Sequence, residues 1–241
     1  MSRRFLKLVV IPAALATAAL LLGLALASGG NNEVSAAPGI GPQDFTTKVD
    51  NPFFPLSPGA RWVYEGHGEE GVKRVVIEVM QDTHEVMGVD TVVVRDTVTV
   101  NGVLFEDTYD WYAQDRDGNV WYFGEDVRYE DGRPVADEGS WTAGVDGARP
   151  GILMKATPAV GDHYTQEYFD GQAMARAEVV RLDAQIDVPY GTLGGLLQTK
   201  DTTPTEPGIH EQKYYARGVG LVAEIKVGED EVVELVEATL P

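Results

Sequence analysis

Cysteine is absent from this chain, which excludes disulfides, thiolate metal sites and a cysteine nucleophile. It also excludes the type of lipid anchor that is built on a cysteine at a signal cleavage point. Histidine is scarce, and His67, His84, His163 and His210 form neither an H-x-H nor an H-E-x-x-H pattern. No G-x-S-x-G elbow, P-loop or Rossmann fingerprint occurs. Gly191-Thr192-Leu193-Gly194-Gly195 is flexible but lacks the strand–helix setting of a phosphate cradle. Basic residues are few: 19 Lys and Arg stand against 38 Asp and Glu, a formal net charge of −19. Such a surface repels phosphate backbones and anionic lipid heads, so no nucleic-acid partner is expected, whereas cations and cationic partners are allowed.

Long hydrophobic runs are also missing, except at the start. Residues 1–7 (MSRRFLK) are positive, and residues 8–27 are apolar and uncharged, ending in the small-x-small pattern Ala25-Leu26-Ala27; Val34-Ser35-Ala36 is a second one. This reads as a secretory signal peptide over 1–27. The run is long enough to cross a bilayer, so the alternative is an uncleaved N-terminal anchor, the only membrane contact expected. Ser2-Arg3-Arg4-Phe5-Leu6-Lys7 resembles a twin-arginine signal lacking one residue between Arg4 and Phe5. Without the three basic residues of this segment, 16 Lys and Arg face 38 acids, a net charge near −22. The expected destination is secreted or extracytoplasmic, the periplasm included. Residues 28–49 are small, polar and Gly/Pro-rich at their start and read as a linker.

Amphipathic helices are missing as well; 172–183 is the best candidate and a poor one. From residue 61 the period is two. In 91–100, Val92, Val94, Val98 and Val100 point one way, and Thr91, Arg95, Thr97 and Thr99 the other. Asn101-Gly102, Asp117-Gly118, Asp131-Gly132 and Asp170-Gly171 supply the positive φ that hairpins need. Strands are predicted near 61–66, 73–81, 91–100, 103–114, 119–124 and 127–130, and again near 163–169, 174–187, 195–202, 210–216, 220–227 and 231–237. The two sets match in order: Pro58–Tyr64 with Val160–Gln166, Arg95-Asp96-Thr97 with Lys200-Asp201-Thr202, and Trp111-Tyr112-Ala113 with Tyr214-Tyr215-Ala216. A nearly constant offset argues for duplication. The expectation is one all-β domain over 50–241: repeat one 50–130, a connection 131–157, and repeat two 158–241. Its fold class is a strongly curved antiparallel sheet or barrel built from two tandem repeats.

Three constellations stand out. Asp96 interrupts the apolar face of its strand, and Asp201 matches it in the second repeat. An inward carboxylate must be paired, hydrogen-bonded or protonated, so two of them facing one another suit an acid–base pair or a shared cation. The opposed reading is a bulge that swings each outward, or a carboxylate tying a loop. Trp111, Tyr112 and Trp121, with Trp141 in the connection, suit an aromatic wall for an apolar ligand, or two layers of ordinary core. Asp115, Asp117 and Asn119 place oxygens at alternate positions, as calcium loops do. Gly118 comes one step too early for an EF-hand, and a tight hairpin explains the same letters. No other cofactor is expected.

Asp50-Asn51-Pro52-Phe53-Phe54-Pro55-Leu56, then Pro58-Gly59, Trp62 and Tyr64-Glu65-Gly66, resemble the opening of an uncharacterised family of secreted bacterial all-β proteins. Asp110–Tyr122 and Tyr214-Tyr215-Ala216 with Gly218–Val222 fit the same likeness. More remotely, the last of these stretches is similar to secreted carriers of the half-barrel lipoprotein type, which hold a lipid against a curved sheet closed by helices. That likeness implies a lipid or other apolar ligand. The function expected is therefore a non-enzymatic extracytoplasmic binding protein for an apolar or small ligand. The alternatives are a hydrolase or lyase using Asp96 and Asp201, and a structural cell-surface module whose arm, residues 38–58, seeks a partner through Phe53 and Phe54.

Overall fold

The computed structural model describes residues 41–68, 71–135, 139–169, 174–204, 208–229 and 231–241. Residues 1–27, expected as a signal peptide, most of the expected linker and the expected Asp170-Gly171 turn lie outside these residues. In chain order the strands are β1 (Phe45–Thr46), β2 (Arg61–Gly68), β3 (Gly71–Val86), β4 (Val89–Val100), β5 (Val103–Asp115), β6 (Val120–Glu130), β7 (Arg133–Pro134) and β8 (Trp141–Thr142). There follow β9 (Arg149–Met154), β10 (His163–Thr165), β11 (Glu167–Tyr168), β12 (Arg176–Val188), β13 (Gly191–Thr202), β14 (His210–Ala216), β15 (Gly220–Val227) and β16 (Glu231–Thr239). The weak helix candidate at 172–183 is a strand from Arg176 onward, because its apolar residues (Ala177, Val179) alternate rather than recur every third or fourth place.

Every pairing is antiparallel, and one path runs β10-β12-β13-β14-β15-β16-β2-β3-β4-β5-β6-β9-β11. Short turns dictate it. Asn101 and Gly102 take φ of 51° and 80°, and Met87 and Gly88 take 54° and 74°, the left-handed pairs that two-residue hairpins require. The second turn went unread because methionine carries no turn signal. Two meanders result, β2–β6 and β12–β16, joined where β16 lies beside β2. At that joint Gly66 approaches the Val232 carbonyl so closely that a Cβ would stand 2.5 Å from it.

The path begins and ends on neighbouring pieces of chain. β10 pairs with β12 at one edge, and after Gln166 the chain continues as β11, which pairs with β9 at the other edge. One segment, His163–Tyr168, thus serves both edges and draws the sheet into a nearly closed barrel. Closure removes the exposed edges that an open sheet of this width would carry. The connection 131–157 contributes to the wall: β7, β8 and β9 all pair with β6.

Matched positions in the two meanders make matched contacts. Gly59 donates to the Val79 carbonyl at 2.9 Å and Val79 donates back to Ala60; Gly161 donates to Val179 at 2.9 Å and Val179 donates back to Asp162. Register shifts fall at Trp111/Tyr112 and at Tyr214/Tyr215, equivalent places on β5 and β14.

Residues 45–56 close one end. β1 pairs with β5, and Phe45 meets Trp121 and Phe123 edge-on at 6.0 and 5.3 Å. The backbone N–H groups of Asp50 and Asn51 donate to Gln114 Oε1, and the Asn51 side chain donates to the Gly118 and Lys155 carbonyls. Gly218 donates to the Pro52 carbonyl at 2.7 Å, and the Arg217 guanidinium lies 4.3 Å over the Phe53 ring. Phe53 and Phe54 are 2% and 8% exposed. The arm expected to reach for a partner therefore binds its own barrel, bridging the β5–β6 and β14–β15 hairpins, since burying two phenylalanines there needs no second molecule.

The closing seam generates a prediction. A Cβ on Gly151 would meet the Gln166 carbonyl group at 2.4 Å and the Thr165 oxygen at 2.6 Å, all of it backbone. Gly151→Ala should lower stability by about 2–4 kcal/mol in chemical denaturation. Gly194→Ala, whose new methyl meets only the Gln185 side chain at 3.6 Å and beyond, should cost under about 0.5 kcal/mol.

Candidate functional site

Alternation along each strand sends one residue in two into the barrel. On β4 these are Val92, Val94, Asp96 and Val98; on β5, Glu106, Thr108, Asp110 and Tyr112. β13 contributes Leu197, Thr199 and Asp201, and β14 contributes Glu211, Lys213 and Tyr215. Read along most of these strands, the interior is apolar and aromatic toward the end plugged by residues 49–56 and polar toward the other. The polar part is acidic. Among the described residues, Asp96, Glu106, Asp110, Glu125, Glu167, Asp201, Glu211 and Glu224 are buried inside the barrel beside only three buried lysines, Lys73, Lys213 and Lys226.

The lysines are already engaged. Lys213 is shared by Glu211 at 3.1 Å and by Asp201 and Glu224, each at 3.5 Å. Lys226 pairs with Glu229 at 3.2 Å, and Lys73 pairs with Glu231. Asp110 accepts the Tyr122 hydroxyl at 2.7 Å, and Glu106 accepts Thr108 at 3.2 Å. Asp96 is 1% exposed, and neither of its carboxyl oxygens has a hydrogen-bond partner. A buried, unpartnered polar group of this kind costs on the order of 1–3 kcal/mol or more, so it calls for an explanation.

Asp96 looks into a cavity of about 30 Å³ at the boundary between the two halves of the interior. That is room for about two waters, or for one small charged head. Its floor holds the carboxyls of Asp96 and Asp110, with Tyr64 and Tyr112 beside them; Trp62, Ile77, Val94 and Leu221 form the sides, and Phe54, Pro55 and Leu56 of the plug form the rim. The walls are fixed by hydrogen bonds to backbone. The Trp62 indole donates to the Val219 carbonyl at 2.7 Å, and the Tyr64 hydroxyl donates to the Leu221 carbonyl at 3.0 Å. Tyr112 stacks on Tyr122 at 4.9 Å and meets Phe54 edge-on at 5.5 Å.

Burial pushes the Asp96 carboxyl well above the ordinary carboxylate range, helped by the charges of Glu106, Asp110 and Glu224 and opposed by Lys73. Burial likewise raises Glu106, Asp110, Glu167 and Glu224, each to about 8. Lys213 stays charged: burial alone lowers it, and Glu211, Glu224 and Asp201 more than restore it.

The candidate residues separate in space. Asp96 and Asp201 both point inward, as the alternation requires; neither is swung out by a bulge. They stand on β4 and β13 with five strands between them along the sheet. The cavity brings Asp96 together with Asp110, while Asp201 sits against Lys213; Glu224 lies electrostatically between the two groups. Tyr112 lines the cavity. Trp111 faces outward and stacks on His84 at 4.3 Å. Trp121 donates its indole N–H to Asp115 at 2.8 Å, and Trp141 packs edge-on against Tyr122 from β8.

In the 115–119 turn the oxygens are taken. Asp115 accepts the Asn119 backbone and side-chain N–H groups and the Trp121 indole, each at 2.8 Å, and Asn119 Oδ1 accepts Ala156 N–H at 2.9 Å. Asp117 is exposed. Asp115 thus acts as a tie for a tight hairpin, and no group of three or more His, Cys, Asp or Glu among the described residues is placed to hold a metal ion.

Sequence reading missed Asp110, Trp62, Tyr64 and Leu221. Asp110 carried a usable signal, since it shares a face with Tyr112 next to an all-apolar strand. The other three were visible only as core.

No protein-family model matches this chain, and no curated protein matches it. One solved structure is similar in shape: a protein of Parabacteroides distasonis provisionally named a lipoprotein, 12% identical, with a TM-score of 0.43 over 78% of this chain and 98% of that one.

The raised carboxyls fix how stability varies with pH. In the unfolded chain they ionise near pH 4, but in the folded protein Glu106, Asp110, Glu167 and Glu224 keep their protons to about pH 8. Between those limits the native state binds more protons than the unfolded state, so stability falls as pH rises. Their contribution is whole below about pH 4 and lost through about pH 8. Thermal unfolding should show the melting temperature dropping on the order of 10 °C from pH 5 to pH 8, and Glu106→Gln should flatten that slope.

Proposed function

We propose that this chain is an exported, extracytoplasmic, non-enzymatic binding protein for a small, largely apolar ligand. The observation that carries the reading is the cavity under the arm, where Phe54, Leu56, Trp62 and Leu221 surround a space whose floor is the unpartnered Asp96. A pocket with an apolar wall and a few convergent polar groups is the ordinary form of a small-molecule site. The segment 1–27 supports export, since a basic start, an apolar stretch and a small-x-small cleavage point are what export machineries read. The matched hydrogen bonds and matched register shifts of the two meanders support a tandem duplication as the origin of the barrel. The same plan supports a rigid container, since a closed wall holds its shape without an occupant.

The test is native mass spectrometry of the exported protein purified from its own host, compared with the denatured protein. An added mass that leaves on denaturation is expected. In Leu221→Trp, where a larger ring fills the cavity, that mass should be absent while the melting temperature stays within a few degrees. A bare mass in both, together with no stabilisation of the native protein by small alkyl probes of one or two carbons, would overturn the reading.

A further inference from the structure

The cavity has more to say about its occupant, granted that it is a binding site. Its rim and sides are apolar, but its floor is two carboxyls, one of them without a partner. Asp96 on β4 and Asp110 on β5 line it, and Glu106 on β5 and Glu224 on β15 act on Asp96 from close by. The one cation acting on Asp96 is Lys73 of β3, which also pairs with Glu231. Tyr64 of β2 and Tyr112 of β5 complete the titratable groups around it. An uncharged occupant would leave this crowding of acids as it stands. An anion would worsen it.

We infer that the ligand is a small organic cation, a primary amine carrying a short alkyl group of one or two carbons, seated with its ammonium on Asp96 and its alkyl part toward Phe54 and Leu56. Several observations converge on that class. An ammonium supplies the hydrogen-bond donors that both Asp96 oxygens lack. The faces of Tyr64, Tyr112 and Trp62 around the same space suit a cation as well as an apolar group. A bare metal ion fits less well, because Asp96 and Asp110 are the only carboxylates lining the cavity and no three-residue ligand group occurs among the described residues. Outside, a net charge near −22 without the N-terminal segment concentrates cations at the surface and away from anions. Burial and its acidic neighbours favour the protonated form of Asp96, whereas an ammonium seated there favours the ionised form, so binding sheds a proton and affinity should rise with pH.

The experiment compares three molecules of similar small size and different charge: methylamine, methanol and formate, titrated into the full exported chain by calorimetry at pH 6 and pH 8. Methylamine is expected to bind at least tenfold more tightly than methanol at pH 8, with a smaller ratio at pH 6 and formate weakest. The proton released on binding should appear as a heat that depends on the ionisation enthalpy of the buffer. In Asp96→Asn, which keeps the shape and removes the charge, methylamine should bind no better than methanol. Asp110→Asn provides a second variant should the first not fold, and its preference for the amine should be reduced. Equal binding of amine and alcohol, or tighter binding of formate, would overturn the inference while leaving the pocket as a binding site. Failure of all three to bind would overturn both.

Discussion

The closure of the sheet by His163–Tyr168 is the constraint on which the rest depends. Because that segment pairs with β12 at one edge and with β9 at the other, each side chain on the inner face is committed to the interior, whatever its chemistry. In an open curved sheet an inward aspartate could reach water past an edge. In this barrel it cannot. The two tight approaches that permit closure, Gly66 against Val232 and Gly151 against Gln166, lie at the two joints where the meanders meet. Any larger residue there would hold the backbones apart.

Enclosure explains the chemistry of the interior. Among the described residues eight buried acids stand beside three buried lysines, and each lysine already pairs with at least one acid. Ionising all eight together in such a space is too costly, since burial and mutual repulsion both oppose charge. The protein relieves this by keeping carboxyls protonated and by using tyrosine and threonine hydroxyls as donors, as Tyr122 does for Asp110. Asp96 accepts no hydrogen bond on either carboxyl oxygen. It also borders space, and the coincidence of an unmet carboxyl with a cavity distinguishes it from the seven others.

The arm from residue 45 to residue 56 ties the site to the fold. It is held by Gln114 of one hairpin and Gly218 of the equivalent hairpin, and the same short stretch contributes Phe54, Pro55 and Leu56 to the rim. Local order in the arm and access to Asp96 are therefore properties of one element.

Much of this was legible from the residues in order. Period-two alternation placed most of the long strands, because a half-buried strand must alternate, but it ended β3 five residues early and split β6 in two, where glycine and charged residues interrupt the pattern. The Asn101-Gly102 turn was legible because only certain residues accept positive φ, and the inward direction of Asp96 followed from its valine neighbours. The hairpin role of Asp115 was also readable from the Asp-Gly spacing as one of two options. What the tertiary structure alone decided was which distant strands meet. The carboxyl that joins Asp96 at the cavity is Asp110 on the next strand, not Asp201 on β13, and the aromatic residues beside it are Trp62, Tyr64 and Tyr112, not Trp111 or Trp121. Alternation fixes the face on which a side chain lies. The identity of its neighbours across the barrel depends on strand order, register and closure, which are set by contacts between residues far apart in the chain.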